Sequence, residues 1–350
     1  MPSPALILEI PGPAGATRSV RLSNPDNVVW PASAAGPEVT KAALAEYLLA
    51  VAEPLLRAVG GRPVTLQRFR GGVSGQEFYS KNVPKGTPDW VDTTMCRYPS
   101  GRSHLQLVIN EIATAVWAVQ MSTITFHPWP VRADDNDLVD ELRIDLDPQP
   151  GRGFADAVTA AVELRTLLAE LGLVAWAKTS GNRGVHVYAR LERTHEFLDV
   201  RHAVIAIARE LERRQPQLVT TAWWKEERGS RVFVDFNQAC RDRTIASAYS
   251  PRAHPGAPVS FPVSWEMLPQ VEPGQFTVHT VPALVQRDGD AWAGIDMAAG
   301  SIEPAMRLWQ ADLERGLGEL PFPPDHPKMP GEPPRVQPSR KNPANWAETD

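Results

Sequence analysis

From residue 142 onward the chain changes its hydrophobic period in a fixed order. Residues 142–147 (LRIDLD) alternate apolar and polar and stop at Pro148, which predicts a strand. Phe154, Val158, Val162, Leu167, Leu168 and Leu171 then fall at helical spacing, and Gly172 closes that helix. Two strands follow over residues 173–179 and 185–190, joined by the Gly-rich loop 180–184. A helix is predicted over 197–213, ending before Pro216, and a last strand over 231–236 (RVFVDF). The order β-α-β-β-α-β is the split βαβ arrangement, in which the first strand lies between the last and the third. The fold class expected is therefore α+β, with a ferredoxin-like or RNA-recognition-motif-like unit packed on a mixed α/β N-terminal part.

Upstream, Leu44, Tyr47, Leu48, Val51 and Leu55 are spaced for a helix over 39–59 that Thr40 can cap and Pro54 should kink. Residues 63–69 suit a strand, 110–121 a helix, and 123–126 another strand. Three parts are expected: a mixed α/β part over 1–130, a part over 131–300 built on the β-α-β-β-α-β unit, and a C-terminal helix with a proline-rich tail over 301–350. Nine of the 34 prolines fall in the last thirty residues, so the tail should form neither helix nor central strand.

Composition narrows the class. With 350 residues, 43% of them hydrophobic, a large core can be buried. The longest apolar stretch, 105–121, is interrupted by Gln106, Asn110, Glu111 and Gln120, so no bilayer span is expected. Two cysteines without CxxC spacing exclude a disulfide scaffold and a zinc ribbon. With no basic stretch ahead of a long apolar run at the N-terminus, a secretory signal is not expected, and a reduced cytoplasmic protein is. The net charge of −5 argues against a polycation but not against local basic patches. Residues 62–102 carry seven bases against three acids, and 134–147 seven acids against one base. Either run alone reads as a solvated face.

The acids carry more meaning within the topology. Asp145 and Asp147 are two apart on one strand and point to one face. Asp235 sits on the expected neighbouring strand among Val234 and Phe236. Side-by-side carboxylates repel unless something positive compensates them, and three of them suit two hard divalent cations bridged by phosphate oxygens. An isolated DxD would more simply start an Asp-Pro turn. The hairpin loop, KTSGNRGVH, offers backbone N–H groups, two glycines, Ser180, Arg183 and His186 to an anion. It lacks the Walker pattern, and alone it reads equally well as a tight basic hairpin.

These segments resemble a known family. DELRIDLDP, KTSGNRGVHVY and RVFVDFNQ, followed by TIASAYSPR, are similar to the polymerase domain of bacterial DNA ligase D, in the archaeo-eukaryotic primase superfamily. The likeness continues upstream through LSNPDNVVWP, EVTKAALAEYL, GRPVTLQRF and FYSKN, over roughly residues 20–285. The resemblance implies Asp145, Asp147 and Asp235 as catalytic metal-holding acids, with Mn²⁺ or Mg²⁺ as two divalent ions. It implies His127, Ser180, Arg183, His186, Arg228 and Arg252 at the nucleotide. It also implies Asn24 and Lys41 at a downstream 5′-phosphate, where Asn27 replaces a usual lysine and should weaken that contact, and Phe78 and Tyr79 against template bases.

The activity expected is gap-filling addition of NTP or dNTP to a primer 3′-hydroxyl on gapped or primer-template DNA during repair. No K-x-D-G ligase motif occurs in the sequence. A stand-alone, nucleoid-associated monomer is therefore expected, meeting a separate ligase and end-binding protein in trans and no membrane. Two other readings share the fold: a nucleic-acid-binding module without catalysis, and a metal-dependent phosphoesterase on the same acids.

Overall fold

The apolar positions of residues 39–59 fold as two helices, Lys41–Ala50 and Ala52–Val59. The break falls at Val51 (φ −111°, ψ 24°). Pro54 has no N–H for the residue 50 carbonyl, and its ring would clash with it. Thr40 caps the first helix, its hydroxyl accepting from the Ala43 N–H at 3.2 Å. This computed structural model describes residues 4–99 and 101–323. Of the proline-rich tail, residues 324–350 lie outside the described residues.

Two larger sheets organise the described residues. The first is centred on Pro63–Arg70, which pairs antiparallel with Gln76–Ser80, Ser103–Val108 and Thr123–Pro128; Thr93–Arg97 extends it beyond Ser103–Val108. The second has six strands in the order Val219–Thr220, Val232–Asp235, Glu141–Pro148, Val185–Arg190, Trp176–Thr179, Pro262–Val263. Its first long strand, Glu141–Pro148, lies between the last and the third, as the split βαβ order requires. Helices Phe154–Glu170 and Phe197–Arg214 pack against this sheet, and Ile144 and Leu146 are fully buried. One expected core position differs: Val162 is exposed. The buried stripe of that helix runs instead through Ala157, Ala160, Ala161, Leu164 and Leu168, since small residues let a helix approach a sheet closely.

The segregated charges are not simply solvated faces. Arg62, from the basic run, is fully buried and holds Asp140, from the acidic run, with two bonds of 2.5 and 2.9 Å. Glu141, also buried, accepts from Arg143 Nε at 2.7 Å and from Arg190. Arg143 donates onward to the Pro128 and Trp129 carbonyls at 2.6 and 3.0 Å. These bonds link the first sheet to the start of the strand carrying Asp145. Among the described residues no helix is long and apolar enough to cross a membrane, and both cysteines are buried and outside any disulfide.

Candidate active site

Strand register brings the acids together. Asp145 lies directly opposite Asp235 on Val232–Asp235, and Asp147 opposite Phe233. Because side chains alternate, all three acids share one face. The strand on the other side sets His186 opposite Asp145, and beyond it Lys178 opposite His186. One row across four strands thus reads Asp235, Asp145, His186, Lys178.

Each carboxylate is held by local donors. Asp235 Oδ1 accepts from the Asn237 N–H and Oδ2 from Gln238 Nε2, both at 2.9 Å. Asp147 Oδ2 accepts from Gln149 Nε2 at 3.1 Å, and Asp145 Oδ1 lies 3.4 Å from His186 Nε2. With the acids turned to these partners, no set of three or more His, Cys, Asp or Glu side chains among the described residues stands in ligating geometry. The charge balance is nevertheless unfavourable without a cation. Burial, then Asp235 and Asp147, push the Asp145 carboxyl up to about 8. An all-oxygen donor set that is short of positive charge fits hard divalent ions.

The hairpin loop closes on its own serine, which takes up two of the backbone N–H groups that the sequence offered to an anion. Ser180 Oγ accepts from the Asn182 and Gly184 N–H groups at 3.2 and 3.1 Å, curling the loop over the strand ends. Gly181 takes φ +74°, and a Cβ there would meet Arg252 Cγ at 2.6 Å. The Arg252 side chain therefore lies against the loop. Its Nε is buried without a hydrogen-bond partner, and burial lowers its pKa against the pull of Tyr79 and Asp145. Arg252 arrives on a segment pinned to the first sheet: Thr125 Oγ1 donates to the Pro251 carbonyl at 2.7 Å, and the Phe126 N–H to Ser250 Oγ at 2.9 Å. Gly181→Ala should raise the KM for a nucleotide several-fold while the protein still folds, because left-handed φ costs about 1–2 kcal/mol and Arg252 must move. Unchanged steady-state KM would separate the loop from the substrate.

The remaining candidates divide. His127 is buried on Thr123–Pro128, bonded through Nε2 to Gln67 Oε1 at 3.1 Å and set edge-on to Tyr79 at 5.6 Å. Burial, then Arg252 and Lys178, hold its pKa down to about 3, so it is neutral. His127, Tyr79 and Thr65 from the first sheet, with Lys81, Gln238, Asp242 and Arg243, line a cavity of about 400 Å³. Gln238 is the residue that holds Asp235, so the cavity opens beside the acids. Arg228 lies 3.5 Å from the centre of the Phe233 ring and donates to the Ala222 and Trp223 carbonyls; its pKa is lowered by burial and raised by Asp235 and Asp147.

Arg183 is exposed at the loop tip. Phe78 and Tyr79, being adjacent on one strand, face opposite ways: Phe78 lies between the Arg68 and Arg70 guanidiniums at 4.8 and 5.1 Å. Asn24 sits in a turn at φ +48°. Lys41 Nζ donates to the Ser23 carbonyl at 2.8 Å and lines a separate cavity of about 270 Å³ with Asn27.

Lys178 was not among the expected site residues. It is fully buried, contacts His186 Nδ1 at 2.7 Å and donates to Ser260 Oγ. Burial drives its pKa well down. Once Asp145 is ionised, as it would be at a metal, it offers His186 only acceptors, which puts the proton on Nε2 and leaves Nδ1 to accept from Lys178. The short hairpin loop implied this pairing, but the buried lysine's second partner comes from a distant segment.

Comparison with known proteins places these residues in context. The model of a family described as "LigD, primase-polymerase domain" matches residues 40–292. The multifunctional non-homologous end joining protein LigD of Mycolicibacterium smegmatis is 29% identical over 311 residues, 88% of this chain and 40% of that protein. Its namesake from Pseudomonas aeruginosa is 33% identical over 296 residues, 83% of this chain and 34% of that protein. The chain thus spans well under half the length of these relatives. A solved structure, the polymerase domain from Mycobacterium tuberculosis ligase D in complex with DNA, superposes with a TM-score of 0.72 at 30% identity, covering 80% of this chain and 98% of that one. The shared fold is mixed α/β.

Proposed function

The chain belongs to the LigD primase-polymerase domain family, and on that premise we propose that it is a template-directed nucleotidyltransferase that fills short gaps in DNA during repair. The observation that carries this reading is the register pairing of Asp145 with Asp235, with Asp147 on the same face and the hairpin loop 180–184 beside them. In the reaction, the primer 3′-hydroxyl oxygen forms a bond to the α-phosphorus, and the bond to the bridging oxygen breaks to release pyrophosphate. Asp145, Asp147 and Asp235 would hold two divalent ions, Mn²⁺ or Mg²⁺, which when bound activate the attacking hydroxyl and stabilise the leaving group.

The chain's own side chains supply the rest. Ser180, Arg183 and Arg252 meet the phosphates, and Arg228 lies toward the Asp147 end. His186 donates from Nε2, and Lys178 fixes that tautomer. Neutral His127 and Tyr79 line the cavity beside Asp235, where the nucleoside would sit. The first sheet's part of the chain, 1–130, presents DNA-binding elements to the catalytic part, 131–300. Tyr79 and Phe78 serve different surfaces there. Asn24 and Lys41 are assigned to a downstream 5′-phosphate, with Asn27 supplying no charge.

A gapped duplex with a labelled primer tests the reading against its rivals. Longer products that require Mn²⁺ or Mg²⁺ and vanish on chelation are expected. Shorter products would instead mark a phosphoesterase, and metal-indifferent binding without any product would mark a non-catalytic module.

A further inference from the structure

Behind the Asp235 turn lies a buried arginine that the proposed chemistry does not use. Arg201, on helix Phe197–Arg214, is 1% exposed. Its guanidinium lies between two rings, with its carbon 4.1 Å from the centre of Phe322 and 5.4 Å from that of Phe236. Nη1 donates to Asn237 Oδ1 at 2.8 Å and to Cys240 Sγ at 3.2 Å. Nη2 donates to the Leu320 and Pro321 carbonyls at 2.8 and 3.3 Å, and Nε to Glu319 Oε1 at 3.2 Å. Asn237 is the residue whose backbone N–H holds Asp235 Oδ1.

The segment on the far side of Arg201 is itself fastened down. Arg209 Nη2 donates to the Gly318 carbonyl at 2.6 Å, and His202 Nε2 lies 2.8 Å from Glu319 Oε2. The His202 ring stacks on Trp309 of helix Glu303–Glu314 at 4.2 Å. Both this helix and the segment after it lie beyond residues 40–292, where the family model matches.

We propose that residues 318–323 act as a strap and Arg201 as a positioning residue, together fixing the turn that carries Asp235 at the edge of the metal site. The inference rests on the reading of Asp235 as a metal ligand given above. A guanidinium saturated on one edge by the strap and on the other by Asn237 leaves the 236–239 turn one position to occupy. Removal of the strap's ring frees the guanidinium, then Asn237, then the carboxylate. Partners one layer behind metal ligands typically change metal affinity or activity by about 10–100-fold when mutated.

The test uses the full chain with Phe322→Ala and Arg201→Lys, the latter retaining the charge but not the fork. Mn²⁺ binding is read directly from the electron paramagnetic resonance of the free ion, without turnover. The Mn²⁺ concentration at half-saturation should rise about tenfold in both variants, with extension at a fixed subsaturating Mn²⁺ falling in step. The nucleotide KM at saturating Mn²⁺ should not change, and Phe322→Tyr should retain near-native binding. Wild-type Mn²⁺ binding in a folded Phe322→Ala, even with a lowered melting temperature, would overturn the inference by showing a purely structural strap. If Arg201→Lys does not fold, Phe322→Ala alone decides. A wild-type chain that binds Mn²⁺ yet never extends a primer would reject the polymerase reading while leaving this measurement valid.

Discussion

Replacing Asp145 and Asp147 together by alanine should lower single-nucleotide extension by at least about 10³-fold, since ion-held charge stabilisation is worth several kcal/mol and each 1.4 kcal/mol is tenfold. The fold should survive. Ile144 and Leu146 do the packing on that strand, whereas the two acids sit on a face where their mutual repulsion opposes folding. In metal-free protein the effect on stability should even be favourable, and pH-dependent. Asp145 has its carboxyl raised, to about 8, by burial and then by Asp235 and Asp147. A raised carboxyl binds its proton more tightly when folded. Its contribution is therefore present below the ordinary carboxylate range and is lost as pH climbs toward 8. Asp145→Asn should melt above wild type at pH 8 in the presence of a chelator, with the gap shrinking toward pH 4. Residual extension near wild type in the double variant would remove the acids from the chemistry.

The second large effect concerns stability. Glu141→Ala leaves Arg143 and Arg190 buried with a missing partner, and breaking a buried pair of this kind costs about 3–5 kcal/mol. Urea unfolding of the variant should show the midpoint fall without a change of slope. Burial opposes the Glu141 charge, but Arg143, Arg62 and Arg190 overcome it and hold the carboxyl well below its usual range. A depressed carboxyl contributes stability above the unfolded-state pKa and loses it as pH falls through the folded-state value. Wild-type stability should therefore drop on acidification below about pH 4, and Glu141→Gln should flatten that slope. A loss under 1 kcal/mol in Glu141→Ala would mean that the cluster is solvated enough to rearrange.

The sequence made some of this legible and not the rest, for physical reasons. Alternation is strict in a strand, so LRIDLD already put Asp145 and Asp147 on one face, and the split βαβ order set Asp235 on the adjoining strand. Both rest on local periodicity plus one topological rule. The charge runs were ambiguous because a run gives no partner: only the fold brings Arg62 onto Asp140, 78 positions apart. The helix over residues 154–170 was expected to bury Val162, but its alanines define the seat. The pair Phe78 and Tyr79 reads as one aromatic patch along the chain and as two surfaces once the strand is formed. Lys178, Ser260 and the link from Arg201 to Asn237 join residues distant in sequence, and no periodicity reports such contacts.

The acids also show what a backbone register can and cannot establish. Asp145 and Asp235 are directly paired, but their side chains are turned to His186, Asn237 and Gln238 rather than to one another. Occupation by cations must draw those oxygens inward. The most direct test of the central claim is therefore the anomalous scattering of Mn²⁺ in crystals grown with Mn²⁺ and a non-hydrolysable nucleoside triphosphate. The account predicts density bounded by carboxylate oxygens of Asp145, Asp147 and Asp235, with the triphosphate running toward Ser180 and Arg252. Manganese bound elsewhere, or a triphosphate seated away from these three side chains, would contradict it.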